Sequence, residues 1–150
     1  MRSDSVGAVS DDGGGPSDFV DQMHLLVVEE SPLWSVPTGI TDHLGDGRTV
    51  SHGPWSAPEC SALLGRWLAA GWLELYLPDL PEGWNLQRAE WLSRANRRAK
   101  FLMLDTNDSE ELLAAPDRWI VGSIDGQVCL CRSDAGMDHT ASEWYSASTP

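Results

Sequence analysis

The amino-acid sequence predicts an α+β fold, and three local patterns carry that expectation. Ser56-Ala57-Pro58-Glu59 has the form of a helix-opening capping box, Trp72–Leu77 alternates as a strand, and Asp125-Gly126 sits between two apolar runs as a β-hairpin turn. At 150 residues and 41% hydrophobic content, the chain is long enough for one domain with a real core. Three cysteines, an odd number, no apolar leader after Met1 and no run of about 18 apolar residues point to a reducing, cytoplasmic setting and no membrane span.

Taken in order, residues 1–16 are rich in Gly, Ser and Asp and cannot bury enough apolar surface to offset their ordering entropy, so a disordered tail is expected. Ser17 or Asp18 then caps a helix whose apolar stripe is Phe19, Met23, Leu26 and Val27, ending near Ser31-Pro32. A short second helix is expected from Val36 to Leu44, with Pro37 in its first turn and Gly45 just beyond it. Leu33, Val36, Ile40 and Leu44 would form its buried face, and Gly45–Trp55 a polar loop. The third helix follows the Ser56 box through Cys60, Leu63, Leu64, Trp67 and Leu68, and Gly71 ends it. In the strand after it, Leu73, Leu75 and Leu77 share one face until Pro78 and Pro81 intervene.

From Asn85 the spacing of Leu86, Trp91, Leu92, Ala95, Ala99, Leu102 and Met103 predicts a helix of about twenty residues, with Asn96 as the place where a break would fit. Asp108-Ser109-Glu110-Glu111 offers a cap and an acidic first turn for Leu112–Ala115, before Pro116. The hairpin around Asp125-Gly126 would pair Trp119–Ile124 with Gln127–Cys131. Residues 137–150 form an expected C-terminal tail in which Trp144 and Tyr145 can pin the chain to its own domain or to a partner.

Three N-terminal helices, a strand and a C-terminal hairpin, with a helical insertion at about 78–116, make an element order that resembles the winged-helix-like domains of small bacterial proteins. The likeness covers about residues 18–136 and rests on Ser56–Tyr76, similar to their third helix and first strand, and on Trp119–Gly136, similar to their wing. It implies a fold and no activity. One departure bears on function: the third helix carries a single basic residue, Arg66, and the expected wing carries Arg118 and Arg132 among Asp117, Asp125 and Asp134. A DNA-reading surface is lost or reassigned in such a domain.

The net charge of -13 and a pI near 4.4 weigh against a surface that grips nucleic acid or anionic lipid as a whole. One segment is inverted. Between Leu86 and Leu104, Arg88, Arg94, Arg97, Arg98 and Lys100 oppose only Glu90. On a helix, Arg94, Arg97 and Arg98 would fall at i, i+3 and i+4 and form a ridge for phosphate or an acidic partner. The plainer reading pairs that ridge with the acidic remainder of the same molecule.

Eight Trp accompany two Tyr and two Phe. Trp67 and Trp91 lie at helical apolar positions and read as core, whereas Trp55 and Trp84 stand in loops beside Pro or Gly and are the candidates for a partner surface, the plainer reading being that they cap a small core. No closely paired Cys or His ligands occur, so neither a metal nor another cofactor is expected, and Cys129-Leu130-Cys131 reads as core filling. Phosphate-loop, dinucleotide, zinc-protease and nucleophile-elbow motifs are missing, which leaves an enzyme without positive support. The expected function is a non-enzymatic acidic protein-interaction module, of the kind that serves as an immunity-type or regulatory inhibitor of a basic protein. The alternative is a nucleic-acid-binding regulator using the Arg88–Lys100 ridge, with Trp55, Trp84, Arg94, Arg97 and Arg98 as candidate binding residues.

Overall fold

A computed structural model of the chain describes residues 16–80 and 89–148. The fold is α+β, a small antiparallel sheet with helices gathered on one face. Helix α1 spans Pro16–Val28, and a 3-10 helix, Leu33–Thr38, leads into strands β1 (Ile40–His43) and β2 (Thr49–His52). Helix α2 is Ala57–Ala69 and strand β3 is Leu73–Leu77. After a 3-10 helix at Glu90–Arg94 come β4 (Asn96–Arg98), β5 (Phe101–Met103) and α3 (Thr106–Leu113). A 3-10 turn at Pro116–Arg118, α4 (Ile124–Gln127), β6 (Cys129–Arg132), α5 (Asp134–Met137) and α6 (Ala141–Ser146) complete the described chain.

Helix α2 forms as its sequence signals require. Ser56 Oγ accepts the Glu59 amide at 3.3 Å, Pro58 lies in the first turn, and Gly71 leaves the helix at φ +83°. Its buried face is Cys60, Leu63, Leu64 and Trp67. In β3 the inward residues are Leu73, Leu75 and Leu77, all buried. They share one core with Met23, Leu26 and Val27 of α1, Leu112 and Leu113 of α3, Leu130 of β6, and Trp144 of α6.

The four-stranded sheet has the order β4-β5-β3-β6. Tyr76 sits opposite Met103 on one side and Cys129 on the other, and Glu74 faces Cys131. These side chains belong to the second face of the sheet, where Tyr76, Met103 and Cys129 form a small cluster with Phe101 and Cys131 packed against it. The free edge of β6 is closed by the segment before the first 3-10 helix, since Leu130 N donates to Ser31 O and Leu33 N to Val128 O.

Several sequence expectations are corrected. The helix expected over Val36–Leu44 stops at Thr38, and Ile40–His43 pairs with Thr49–His52 as a two-stranded hairpin. Gly45 and Gly47, both at positive φ, make its turn, so the expected polar loop contains a strand. The long helix expected from Asn85 is, over its described part, a 3-10 helix followed by the β4–β5 hairpin; Asn85–Arg88 lie outside the described residues. Its turn uses Ala99 at φ +55°. The cap of α3 is Asp105, whose Oδ1 accepts the Asp108 amide at 2.7 Å, and Asp108 itself lies inside the helix.

No hairpin forms at Asp125-Gly126. Ser123 caps a short helix there by accepting the Gly126 amide at 2.9 Å, and β6 pairs with β3 rather than with Trp119–Ile124. Packing decides between the two: any Cβ on Gly126 would run into the Ile120 carbonyl, so the close approach of the two backbones needs glycine here for space. Residues 134–148 fold as α5 and α6, and Trp144 is completely buried.

His24, in the middle of α1, lies edge-on to Tyr145 (5.7 Å between ring centroids) and 5.2 Å from Trp144. Burial first, and Arg132 second, hold its imidazole below the ordinary value of 6.5. A depressed histidine costs nothing while it is neutral in both states, and it opposes folding once the unfolded chain begins to take up its proton. Stability should therefore fall as pH drops below 6.5, and His24→Gln should flatten that slope in urea melts taken between pH 7.5 and 5.5. Gly126→Ala should cost about 3 kcal/mol or more because backbone must move. Gly65→Ala, in open space on α2, should gain about 0.5–1 kcal/mol in the same melts.

Candidate functional site

The arginine ridge of the sequence does not exist as a ridge. Arg94 ends a 3-10 helix, while Arg97 and Arg98 are neighbours on a strand and alternate between its faces. Arg94 forks onto Asp108, Nε to Oδ2 at 2.9 Å and Nη2 to Oδ1 at 2.7 Å. Asp108 is 6% exposed, and the guanidinium, together with the Asp105 contact, holds its carboxyl below the usual range. Arg98 reaches Glu74 at 3.2 Å. Arg118 Nε binds Asp125 Oδ2 at 3.0 Å while Asp125 Oδ1 accepts the Trp91 indole N–H at 2.8 Å. Arg97 and Lys100 stay exposed.

Trp55 is half-buried with its ring edge-on to Phe19, centroids 5.2 Å apart, and its Nε1 is buried without a hydrogen-bond partner among the described residues. Trp84 lies outside the described residues. Trp55 thus contacts Phe19, while Arg94 and Arg98 contact Asp108 and Glu74. Cys60 and Cys131 are pushed up to about 12 and Cys129 to about 11, chiefly by burial, so all three thiols are protonated at neutral pH and are poor nucleophiles. Among the described residues no group of three or more His, Cys, Asp or Glu could hold a metal ion.

A concave site does form at the junction of β3 with α5 and α6. Ser133 locks α5 to the start of β3: its amide donates to Trp72 O at 2.8 Å, its hydroxyl donates to Gly71 O at 2.6 Å, and its Oγ accepts the Gly136 amide at 3.0 Å. Gly136 lies against the Trp72 carbonyl, where no Cβ would fit. His139 is thereby stacked on Trp72, with ring centroids 4.0 Å apart and planes at 24°. Thr140 then opens α6 with a full capping box: Thr140 Oγ1 accepts the Glu143 amide at 3.2 Å, and Glu143 Oε1 accepts the Thr140 amide at 2.8 Å.

Those rings and helix α6 border a shallow cavity of about 460 Å³, wide open to solvent and lined by Trp72, His139, Ser142, Glu143, Ser146 and Ala147. The Thr140 amide and the nearby His139 ring, 3.4 Å from Oε1, hold the Glu143 carboxyl below its ordinary value, so it is ionised at neutral pH. Glu143 keeps about half of its side chain exposed, at 53%. Sequence reasoning missed this site, although Thr140-Ala141-Ser142-Glu143 carried the same capping signature that had located α2.

Compared with known proteins, the chain matches no family model, no curated protein and no solved structure. Among the described residues no helix is long and apolar enough to cross a membrane.

Arg94→Ala would strand a buried carboxylate and should lower the thermal midpoint at pH 7, whereas Asp108→Asn in the Arg94→Ala background should recover part of the loss. Equal losses in the single and double variants would show that Arg94 acts by packing alone. For an aspartate whose folded value is depressed, the contribution is full above its unfolded value and disappears as pH falls through the folded one. The difference between wild type and Arg94→Ala should therefore close in strong acid.

Proposed function

We propose that this chain is a non-enzymatic acidic protein-interaction module that binds a basic partner protein, as an immunity-type or regulatory inhibitor would. The observation that carries this reading is the set of exposed carboxylates left outside the ion pairs. Arg94, Arg98 and Arg118 are held by Asp108, Glu74 and Asp125, while exposed Glu59, Asp79, Glu110, Glu111, Asp117 and Asp138 make no ion pair among the described residues. Each of those pairs cancels one charge of each sign, so the net charge stays at -13, and the field outside the molecule favours encounter with a cationic surface. Surplus like charge destabilises a compact chain, so a binding role gives the excess a purpose that folding does not.

A second reading makes the chain a nucleic-acid regulator, although the wing expected at Trp119–Gly136 does not form as a hairpin. Its support is narrower: Arg97 and Lys100 are exposed on the β4–β5 hairpin and make no ion pair among the described residues. The two readings differ in what salt and substitution do. With a basic protein as ligand, Glu110→Lys with Glu111→Lys should slow association about tenfold at low salt and leave dissociation and the thermal midpoint nearly unchanged. Stopped-flow association measured across ionic strength checks this. Tight binding to duplex DNA that weakens steeply with salt and is lost in Arg97→Ala/Lys100→Ala would instead establish the second reading.

A further inference from the structure

We propose that the cavity between Trp72, His139 and Glu143 is a receptor for a guanidinium group, an arginine side chain presented by the basic partner. The inference rests on the acidic-module reading and gives it an anchor point. Three features define the chemistry of the cavity. Its wall is the stacked Trp72–His139 pair, against which a planar delocalised cation can lie by cation–π and stacking attraction. Its charge is Glu143, ionised and half exposed, which uses Oε1 to cap α6 and leaves Oε2 without a partner among the described residues. Within segment 133–148 Asp134, Asp138 and Glu143 carry the acidic charge and no Lys or Arg occurs, while from outside it Arg66 reaches Ser148 O at the far end of α6.

The cavity is also built rather than incidental. Trp144, fully buried, donates from Nε1 to Gly136 O at 3.1 Å and offers its carbonyl to Trp67 Nε1 at 3.0 Å, so α5 and α6 are fixed to the core on both sides of the opening. Arg66 Nε donates to Ser148 O at 2.6 Å and holds the end of α6 in the same way. A site held open by buried hydrogen bonds loses little entropy when a side chain enters. Guanidinium is favoured over ammonium because its flat face suits the ring wall while its edge N–H groups suit the carboxylate.

The test is an amide-shift titration of the ¹⁵N-labelled full chain with N-acetyl-arginine methylamide at low salt, with the citrulline analogue as the neutral control of the same shape. Shifts should concentrate at Trp72 and at residues 139–147, citrulline should leave them nearly unmoved, and Glu143→Gln should weaken arginine binding roughly tenfold. Glutamine retains the cap of α6, so the variant removes charge without removing the helix. Shifts of equal size with citrulline, or binding unaffected by Glu143→Gln, would overturn the proposal. Arginine shifts confined to other carboxylates, such as Glu110 and Glu111, would reject the cavity while leaving the acidic module standing. Absence of any shift, together with failure to bind a basic protein, would reject both.

Discussion

The indole of Trp144 is the contact through which the C-terminal segment joins the rest of the molecule. It is completely buried, its ring meets Trp67 at 5.0 Å and Trp72 at 5.5 Å, and both polar ends of the residue are used: Nε1 by Gly136 and the carbonyl by Trp67. A large aromatic in that position removes apolar area from water and satisfies two otherwise stranded polar groups at the same time. The position of α5 over the start of β3, the stacking of His139 on Trp72 and the opening beside Glu143 all follow from where that ring sits.

Charge is arranged around the same core in two grades. Where a carboxylate is buried or shielded it is matched closely, as the bidentate Arg94–Asp108 pair and the shared Asp125 between Trp91 and Arg118 show. Where it is exposed it is left in excess. Matching is obligatory only in the first grade, because an unpaired buried carboxylate costs several kcal/mol whereas exposed charges are screened within about 10 Å by salt. Each close pair cancels one charge of each sign, so the exposed carboxylates without a partner among the described residues keep the surface acidic although Arg48, Arg97 and Lys100 are exposed as well.

Legibility in the sequence followed how local the deciding interactions are. Helix α2 and strand β3 could be read because Ser56, Gly71 and the leucine spacing act within a few residues of where they stand. Asp125-Gly126 could not, since the glycine is there to admit the Ile120 carbonyl and the aspartate to hold Trp91 and Arg118. Ala99-Lys100 gave no turn signal at all, and its hairpin is imposed by the pairing of β5 with β3. Misreading that hairpin as helix also created the arginine ridge, which strand alternation abolishes. The cavity was hidden for a related reason: Trp72 and His139 meet only across the fold, although the Thr140–Glu143 capping box beside them was visible in the residues themselves.

The short helices of the C-terminal third show what such a fold asks of its sequence. Helices α4 and α5 have four residues each and α6 has six, far below the length at which an isolated helix holds together in water. Each nevertheless begins with a side-chain cap, Ser123, Ser133 and Thr140, and each places one close-packed residue against the core, Gly126, Gly136 and Trp144. Caps supply the start and tertiary contact supplies the stability, so propensity has almost no part in either. Glu143 illustrates the economy of the arrangement. One carboxylate oxygen completes the cap that fixes α6, and the same side chain lines the cavity beside α6, so the residue that builds the wall also sets its charge.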